Sequence, residues 1–234
     1  MRFDNRRKQF RSILNGDRCV YPGSVFDPIS ARIAEDIGFE VGMFAGSIAS
    51  FTVLGAPDVI VLTLSEFAQQ AQRINRSSEL PLKVDADNGY GNAINVIRTV
   101  EDFIRSGVAG IHIEDQVAPK RCGHVAGKQI IPIEEAYGKF RAAARIRDEL
   151  DPDFVLIART DARGVAGGSV QAVIERSQAY IDAGVDMIFP EGLTSKKEIA
   201  EVCEKVKAPI HYNRTGVSPM LTLDELNEMG IAMV

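Results

Sequence analysis

The sequence predicts one (β/α)₈ barrel, and three observations carry that expectation. Short apolar runs alternate with longer stretches of helical period along the whole 234-residue chain, the pattern of β-α units around a parallel sheet. Glycine recurs just past helix ends and just before strands, at Gly38, Gly107, Gly184 and Gly230. A left-handed C-cap needs glycine there, and the recurrence favours a closed repeat over an open doubly wound sheet. Length and a 45% hydrophobic content suit one sizeable core, hence one domain over residues 1–234.

Eight strands are expected, at Cys19–Ser24, Val41–Ala45, Leu82–Asp85, Gly110–Glu114, Val155–Arg159, Met187–Pro190, Ile210–Asn213 and Ile231–Val234. Helical periodicity is clearest at Ile94–Ser106, Glu134–Leu150 and Val170–Ala183. The basic opening, Arg2 to Arg11, contains Asp4, and Phe3, Phe10, Ile13 and Leu14 are spaced for an amphipathic helix rather than a transit peptide. The eighth strand is also the end of the chain, so the helix expected after it, and any C-terminal helical extension, is missing from the sequence. The expectation is a chain truncated relative to its relatives or the ordered part of a longer protein.

A net charge of −5 without any Lys/Arg-rich run excludes the electrostatic footprint of a nucleic-acid binder and points to a small-molecule partner. Three scattered cysteines make no disulfide framework and suit a reducing cytoplasm. No apolar run approaches the roughly 18 residues that span a membrane.

Chemistry concentrates where the strands end. Residues two apart in a strand share a face, so Asp85 and Asp87 are expected to point the same way at a C-terminal strand end, where barrel active sites form. Two carboxylates that close repel unless a cation lies between them, and a hard ion with oxygen ligands, Mg²⁺ or Mn²⁺, suits the position. Glu114 adds an acid on the next strand. The competing reading has Asp87 or Asn88 simply capping the following helix. Further on, Lys120, Arg121 and His124 flank Cys122 in a loop too long for a tight turn. Such cations stabilise a thiolate and match the thiol to proton exchange near neutral pH, although an incidental exposed cysteine has the same local sequence. Gly123 permits close backbone approach or a bend. Cys19 and Cys203 sit in apolar contexts and are expected to fill the core.

The segments Val84 to Gly91, Gly110 to Gln116, Lys120 to His124, Ile157 to Ala162 and Phe189 to Glu191 match, in order, motifs of the isocitrate lyase/phosphoenolpyruvate mutase superfamily. The chain resembles that family over nearly all its length. The resemblance implies Mg²⁺ held directly by Asp87 and through waters by Asp85 and Glu114, where it chelates a 2-oxo carboxylate and stabilises an enolate. It implies a carboxylate cradle at Ala45, Gly46 and Ser47, where many lyases have serine in place of Ala45, and an acid beside the metal at Asp58. Arg159 and Glu191 match groups that bind the oxo-acid end and assist proton transfer; a structural Arg159–Asp161 ion pair is the alternative.

Lys120 to His124 resembles the mobile catalytic loop of isocitrate, 2-methylisocitrate and 2,3-dimethylmalate lyases, whose cysteine protonates the carbon released by cleavage. Lys120, Cys122 and His124 are thereby catalytic candidates and Gly123 a substrate contact. Asn213, Thr215 and Ser218 fall in the segment that lines the pocket for distal carboxylates, but here that segment is shorter and carries an added Arg214, so substrate identity does not transfer. The expected activity is carbon–carbon cleavage of a 2-hydroxy di- or tricarboxylate of the 2-methylisocitrate or 2,3-dimethylmalate type. Oxaloacetate decarboxylation is the first rival, suggested by the stretch from Ser24 to Ser50. Phosphonate mutase or hydrolase chemistry is a weaker rival, and a silent binding barrel is the non-enzymatic one. Family members are commonly tetramers that exchange C-terminal helices, so a homo-oligomer is implied.

Overall fold

Barrel strands are buried on both faces, so their inward residues meet the barrel interior while their outward residues meet helices. The computed structural model describes residues 3–123, 125–214 and 216–234. Its strands are β1 (Gly23–Ser24), β2 (Gly42–Phe44), β3 (Leu82–Asp85), β4 (Gly110–Glu114), β5 (Val155–Thr160), β6 (Met187–Pro190), β7 (Ile210–His211) and β8 (Ile231–Met233). Each pairs in parallel with the next in sequence order. A parallel bridge between Val20 and Met233 joins the two ends of the sheet, with the Val20 amide donating to Ala232 O at 3.0 Å and the Val234 amide to Val20 O at 3.1 Å. The strands therefore form a ring.

Among the described residues the helices are α1 (Asp4–Leu14), α2 (Pro28–Asp36), α3 (Gly46–Ala49), α4 (Leu64–Ser77), α5 (Ala93–Arg105), α6 (Ile133–Leu150), α7 (Val170–Asp182), α8 (Lys196–Lys205) and α9 (Leu223–Glu228), with a π-helical turn at Ser50–Leu54. Polar side chains of Asp27, Thr63, Asn92, Ser169, Ser195 and Thr222 accept first-turn amides and so start α2, α4, α5, α7, α8 and α9. Gly38, Gly107, Gly184 and Gly230 all have positive φ, as their recurrence predicts. Among the described residues no helix is long and apolar enough to cross a membrane.

Two apolar layers position the site. One lies between strands and helices, where Phe44, Phe67 and Phe103 stack edge to face. The other fills the barrel floor, where Phe10, Ile13 and Leu14 of α1 pack against Val155, Ile157, Met187 and Phe189. This floor layer is apolar, and the site lies above it, toward the C-terminal ends of the strands. Four strands are shorter than expected: β1 by residues 19–22, β2 by Val41 and Ala45, β7 by Tyr212 and Asn213, and β8 by Val234. Residues 19–22 lie outside the β1 ladder, with Val20 bridging to β8 instead, and β7 ends at His211 after a register shift between Ile210 and His211, the Tyr212 amide still donating to Met233 O at 2.8 Å.

Candidate active site

The end of β3 shapes the site through its backbone. Strand geometry stops at Asp85, and Asp87 adopts a left-handed φ of +47°, uncommon for a residue with a side chain. The two acids thus meet through a turn and not through strand alternation, which corrects the expectation. The turn is held from both sides: the Asp87 amide donates to Asp85 Oδ1 at 2.9 Å, and the Glu114 amide donates to Asp87 O at 2.8 Å. Strain of this kind persists at functional sites when the surroundings over-determine it. Across β2, the Gly46 amide donates to Asp85 Oδ2 at 3.1 Å, and a Cβ at Gly46 would lie 2.7 Å from that oxygen. Gly46 therefore serves Asp85 with an amide the resemblance assigned to substrate.

The loop after β4 folds down over these acids. Lys120 Nζ lies 2.8 Å from Asp87 Oδ1 and 2.9 Å from Asp58 Oδ1. Gln116 clasps Arg121, accepting from its amide at 2.9 Å and donating to its carbonyl at 2.9 Å. Lys128 Nζ donates to Gly123 O at 2.9 Å and to Asp161 Oδ1 at 2.6 Å. A Cβ on Gly123 would stand 2.7 Å from the Arg159 guanidinium and 3.1 Å from the Glu191 carboxyl carbon, so only glycine lets the loop approach this closely. Lys120 and Arg121, expected to support the Cys122 thiol, have their charged ends on other acceptors: the two aspartates and, for Arg121, the Ala126 carbonyl.

On the far side, Arg159 Nε stands 3.0 Å from Asp161 Oδ2 and 3.3 Å from Glu114 Oε2, and its Nη2 stands 3.6 Å from Glu191 Oε2. Asn213 Nδ2 donates to Glu191 Oε2 at 2.9 Å. Arg159 thus has the structural pairing with Asp161 and also faces the pocket. Behind it, Asp115 accepts from Thr160 Oγ1 (2.7 Å), the Asp161 amide (3.0 Å), Arg176 Nη1 (3.0 Å) and Tyr180 Oη (2.7 Å). This buried network sets the end of β5, and with it Arg159.

These groups enclose a cavity of about 280 Å³, at the small end of ligand pockets. Ala45, Gly46, Ser47, Asp58, Asp85, Lys120, Cys122, Gly123, Arg159, Glu191 and Asn213 line it. Asp87 lies behind Lys120, and Glu114 behind Arg159. Ser218 is buried but does not reach the cavity wall. His124 and Thr215 lie outside the described residues.

Sequence reasoning missed the layer beneath. Lys83, two residues before Asp85, is fully buried and bonds the His211 ring, while His112 Nε2 stands 3.2 Å from Asp85 Oδ1. Phe189 packs between them, 4.3 Å from His211 and 5.3 Å from His112 by ring centroids. Burial pushes His112 down to about 4 against the pull of Asp85, and burial pushes Lys83 down to about 7, again against Asp85.

The acids are crowded. Burial and the nearby Asp85 push the Asp87 carboxyl up to about 6 despite Lys120, and burial drives Glu114 well above the usual carboxylate range despite Arg159. Glu114 Oε1 is buried without a hydrogen-bond partner. Among the described residues no three His, Cys, Asp or Glu side chains converge on one point as they would around a fully protein-ligated ion. Mg²⁺ does not require that: it keeps several waters and takes one or two carboxylates directly. The all-oxygen donor set, the mutual repulsion and the orphaned Glu114 oxygen fit such a hydrated cation.

The phosphoenolpyruvate phosphomutase family model matches residues 10–234. An oxaloacetate decarboxylase of Rhodopseudomonas palustris (strain BisB18) is 47% identical over 210 residues, covering 90% of this chain and 71% of the relative. Oxaloacetate acetylhydrolase bound to 3,3-difluorooxalacetate superposes with a TM-score of 0.92 at 38% identity, covering 99% of this chain and 79% of that one. A 2,3-dimethylmalate lyase gives 0.91 at 36% identity, with 97% and 77% covered. A phosphonopyruvate hydrolase solved with oxalate and Mg²⁺ gives 0.87 at 30% identity, with 98% and 79% covered. The chain belongs to the PEP mutase/isocitrate lyase superfamily.

Proposed function

We propose that this protein is a Mg²⁺-dependent carbon–carbon lyase that splits a small 2-hydroxy dicarboxylate into a 2-oxo acid and a smaller acid. One observation carries the reading: Cys122, on a loop latched shut by Lys120, opens into the same cavity as Asp85, Arg159 and Glu191. Bound at Asp87, with Asp85 and Glu114 ordering its waters, Mg²⁺ supplies Lewis-acid stabilisation for the negative charge of the 2-oxo acid.

The chain's own groups do the rest. Arg159 pairs with the carboxylate at the oxo-acid end, and Glu191, oriented by Asn213, takes the proton from the C2 hydroxyl. The C2–C3 bond then breaks, its electron pair goes to C3, and C2 becomes a carbonyl carbon. Cys122 gives its thiol proton to C3. The proton held on Glu191 returns to the thiolate through solvent once the products leave. Loop closure keeps water from the carbanion in the meantime.

Oxaloacetate decarboxylation is the second reading, favoured by the 47% identical relative of that name. A product assay over 2-methylisocitrate, isocitrate, 2,3-dimethylmalate, oxaloacetate and phosphonopyruvate separates the readings. A 2-oxo acid, pyruvate or, from isocitrate, glyoxylate, appearing with a second organic acid supports the lyase. Turnover of oxaloacetate alone, with release of CO₂, replaces it with the decarboxylase.

A further inference from the structure

We propose that His211 binds the substrate carboxylate remote from Asp87, through its Nε2–H, and that Lys83 is the positioning residue that fixes this tautomer. The proposal rests on the lyase reading in taking a dicarboxylate as substrate.

Lys83 and Asp85 share the inward face of β3, with Lys83 one layer deeper and fully buried. Its bonded partner is an imidazole, His211 Nδ1, and not a carboxylate. Lys83 Nζ has N–H donors in either charge state and lies at hydrogen-bond distance from Nδ1, which accepts. The His211 ring is neutral, because burial and the adjacent Lys83 hold it well below the ordinary histidine range. A neutral ring that accepts at Nδ1 carries its proton on Nε2. Phe189, packed against it at 4.3 Å with the rings tilted by 44°, restricts rotation of the ring.

His211 also lines the cavity, on β7, four strands around the eight-stranded ring from Asp85 on β3 and so across the barrel from it. Of the two cations lining the cavity, Lys120 is held by Asp58 and Asp87, and Arg159, beside Asp161, Glu114 and Glu191, is taken up by the carboxylate at the oxo-acid end. A second substrate carboxylate at this wall therefore meets the Nε2–H of His211.

The position also selects between reactions. When C2–C3 breaks, the electron pair on C3 spreads into the carboxylate attached to that carbon, so a fixed donor there is worth more in the transition state than in the ground state. In decarboxylation the same carboxylate leaves as neutral CO₂, and a donor held against it opposes the loss of charge. The Lys83–His211 pair therefore favours cleavage between C2 and C3.

The test uses calorimetry on the Mg²⁺-loaded protein with two probes: malate, which has the second carboxylate, and pyruvate, which lacks it. In His211→Phe and Lys83→Met, malate affinity is expected to fall at least ten-fold while pyruvate affinity stays within two-fold. Imidazole ¹⁵N spectra of the wild type give an independent readout, with His211 assigned through His211→Phe or, if that variant does not fold, His211→Gln. The Nε2-protonated tautomer is expected, with an Nε2 shift that moves on adding malate and not pyruvate. An Nδ1-protonated ring, a shift indifferent to malate, or equal loss of both probes in the variants overturns the proposal. Wild type that binds neither probe removes the lyase reading, and this assignment with it; wild type that binds both, with His211→Phe unchanged, removes this assignment alone.

Discussion

Lys120 Nζ sits 2.8 Å from Asp87 Oδ1, so a lysine of the loop neutralises the acid that fits a metal. The nearby Asp85, Asp87, Glu114 and Asp58 outweigh burial and keep this ammonium charged. The contact does two things at once: it latches the loop to the barrel rim, and it competes with a divalent cation for the same carboxylate. Lys120→Met should therefore bind Mg²⁺ several-fold more tightly by calorimetry, lose turnover, and be cut faster in the loop by a protease. Unchanged cutting and weaker Mg²⁺ binding would show that Lys120 neither latches nor competes.

Asp87 ties metal binding to pH. Its carboxyl holds a proton up to about 6 in the folded chain, against an ordinary value of 3.8. Between those values the folded state binds the extra proton, so the contribution of Asp87 to stability declines as pH rises through the window. Mg²⁺ must displace that proton, so its affinity should fall as pH drops below about 6. Asp87→Asn should abolish Mg²⁺ binding and turnover, keep the fold, and flatten the metal-free stability profile between pH 4 and 6. Full activity of the variant in chelator-treated buffer would remove Asp87 from the metal site.

Gly123 is where the loop comes closest to the site. The Cβ of Gly123→Ala would press on an Arg159 guanidinium that Asp161 and Glu114 already pin, so it cannot swing away cheaply. Turnover should fall by roughly 10–100-fold, the scale of a small misplacement of catalytic groups, with the melting temperature nearly unchanged. Wild-type turnover would mean that the loop does not close this far during catalysis.

Asp115 supports the site from behind. Removing it leaves the Arg176 guanidinium with one fewer partner and frees the end of β5. Asp115→Ala should cost about 3–5 kcal/mol, as for breaking a buried ion pair, measured by urea denaturation. A loss well under that would show that the network relaxes around the gap.

The barrel was legible because its signals are local and repeated: the glycines at 38, 107, 184 and 230 end helices by the same backbone requirement, and strands such as Gly110–Glu114 and Met187–Pro190 fall where the apolar runs predict. The rim acids were legible as residue types, but not the turn that joins them, since nothing in the motif's alternation announces the left-handed Asp87. Lys83 and His211 were illegible for a different reason. A polar residue between apolar ones reads as solvent-facing in a strand, whereas in a barrel the apolar neighbours Leu82 and Val84 face the helices and Lys83 faces inward. The pairing of Lys83 with His211 spans 128 positions and exists only once the ring has formed.

The sulfur of Cys122 separates carbon–carbon cleavage from decarboxylation most directly. A lyase must protonate the carbon it releases, while a decarboxylase releases CO₂, which needs no proton. Cys122→Ser keeps the size of the side chain and raises its pKa by several units, so it tests proton transfer with little change in packing. Turnover on the best substrate of the panel, at saturating Mg²⁺, is expected to fall by at least ~100-fold, the scale of losing a general acid. Turnover within a few-fold of wild type would contradict the lyase reading and leave the decarboxylase.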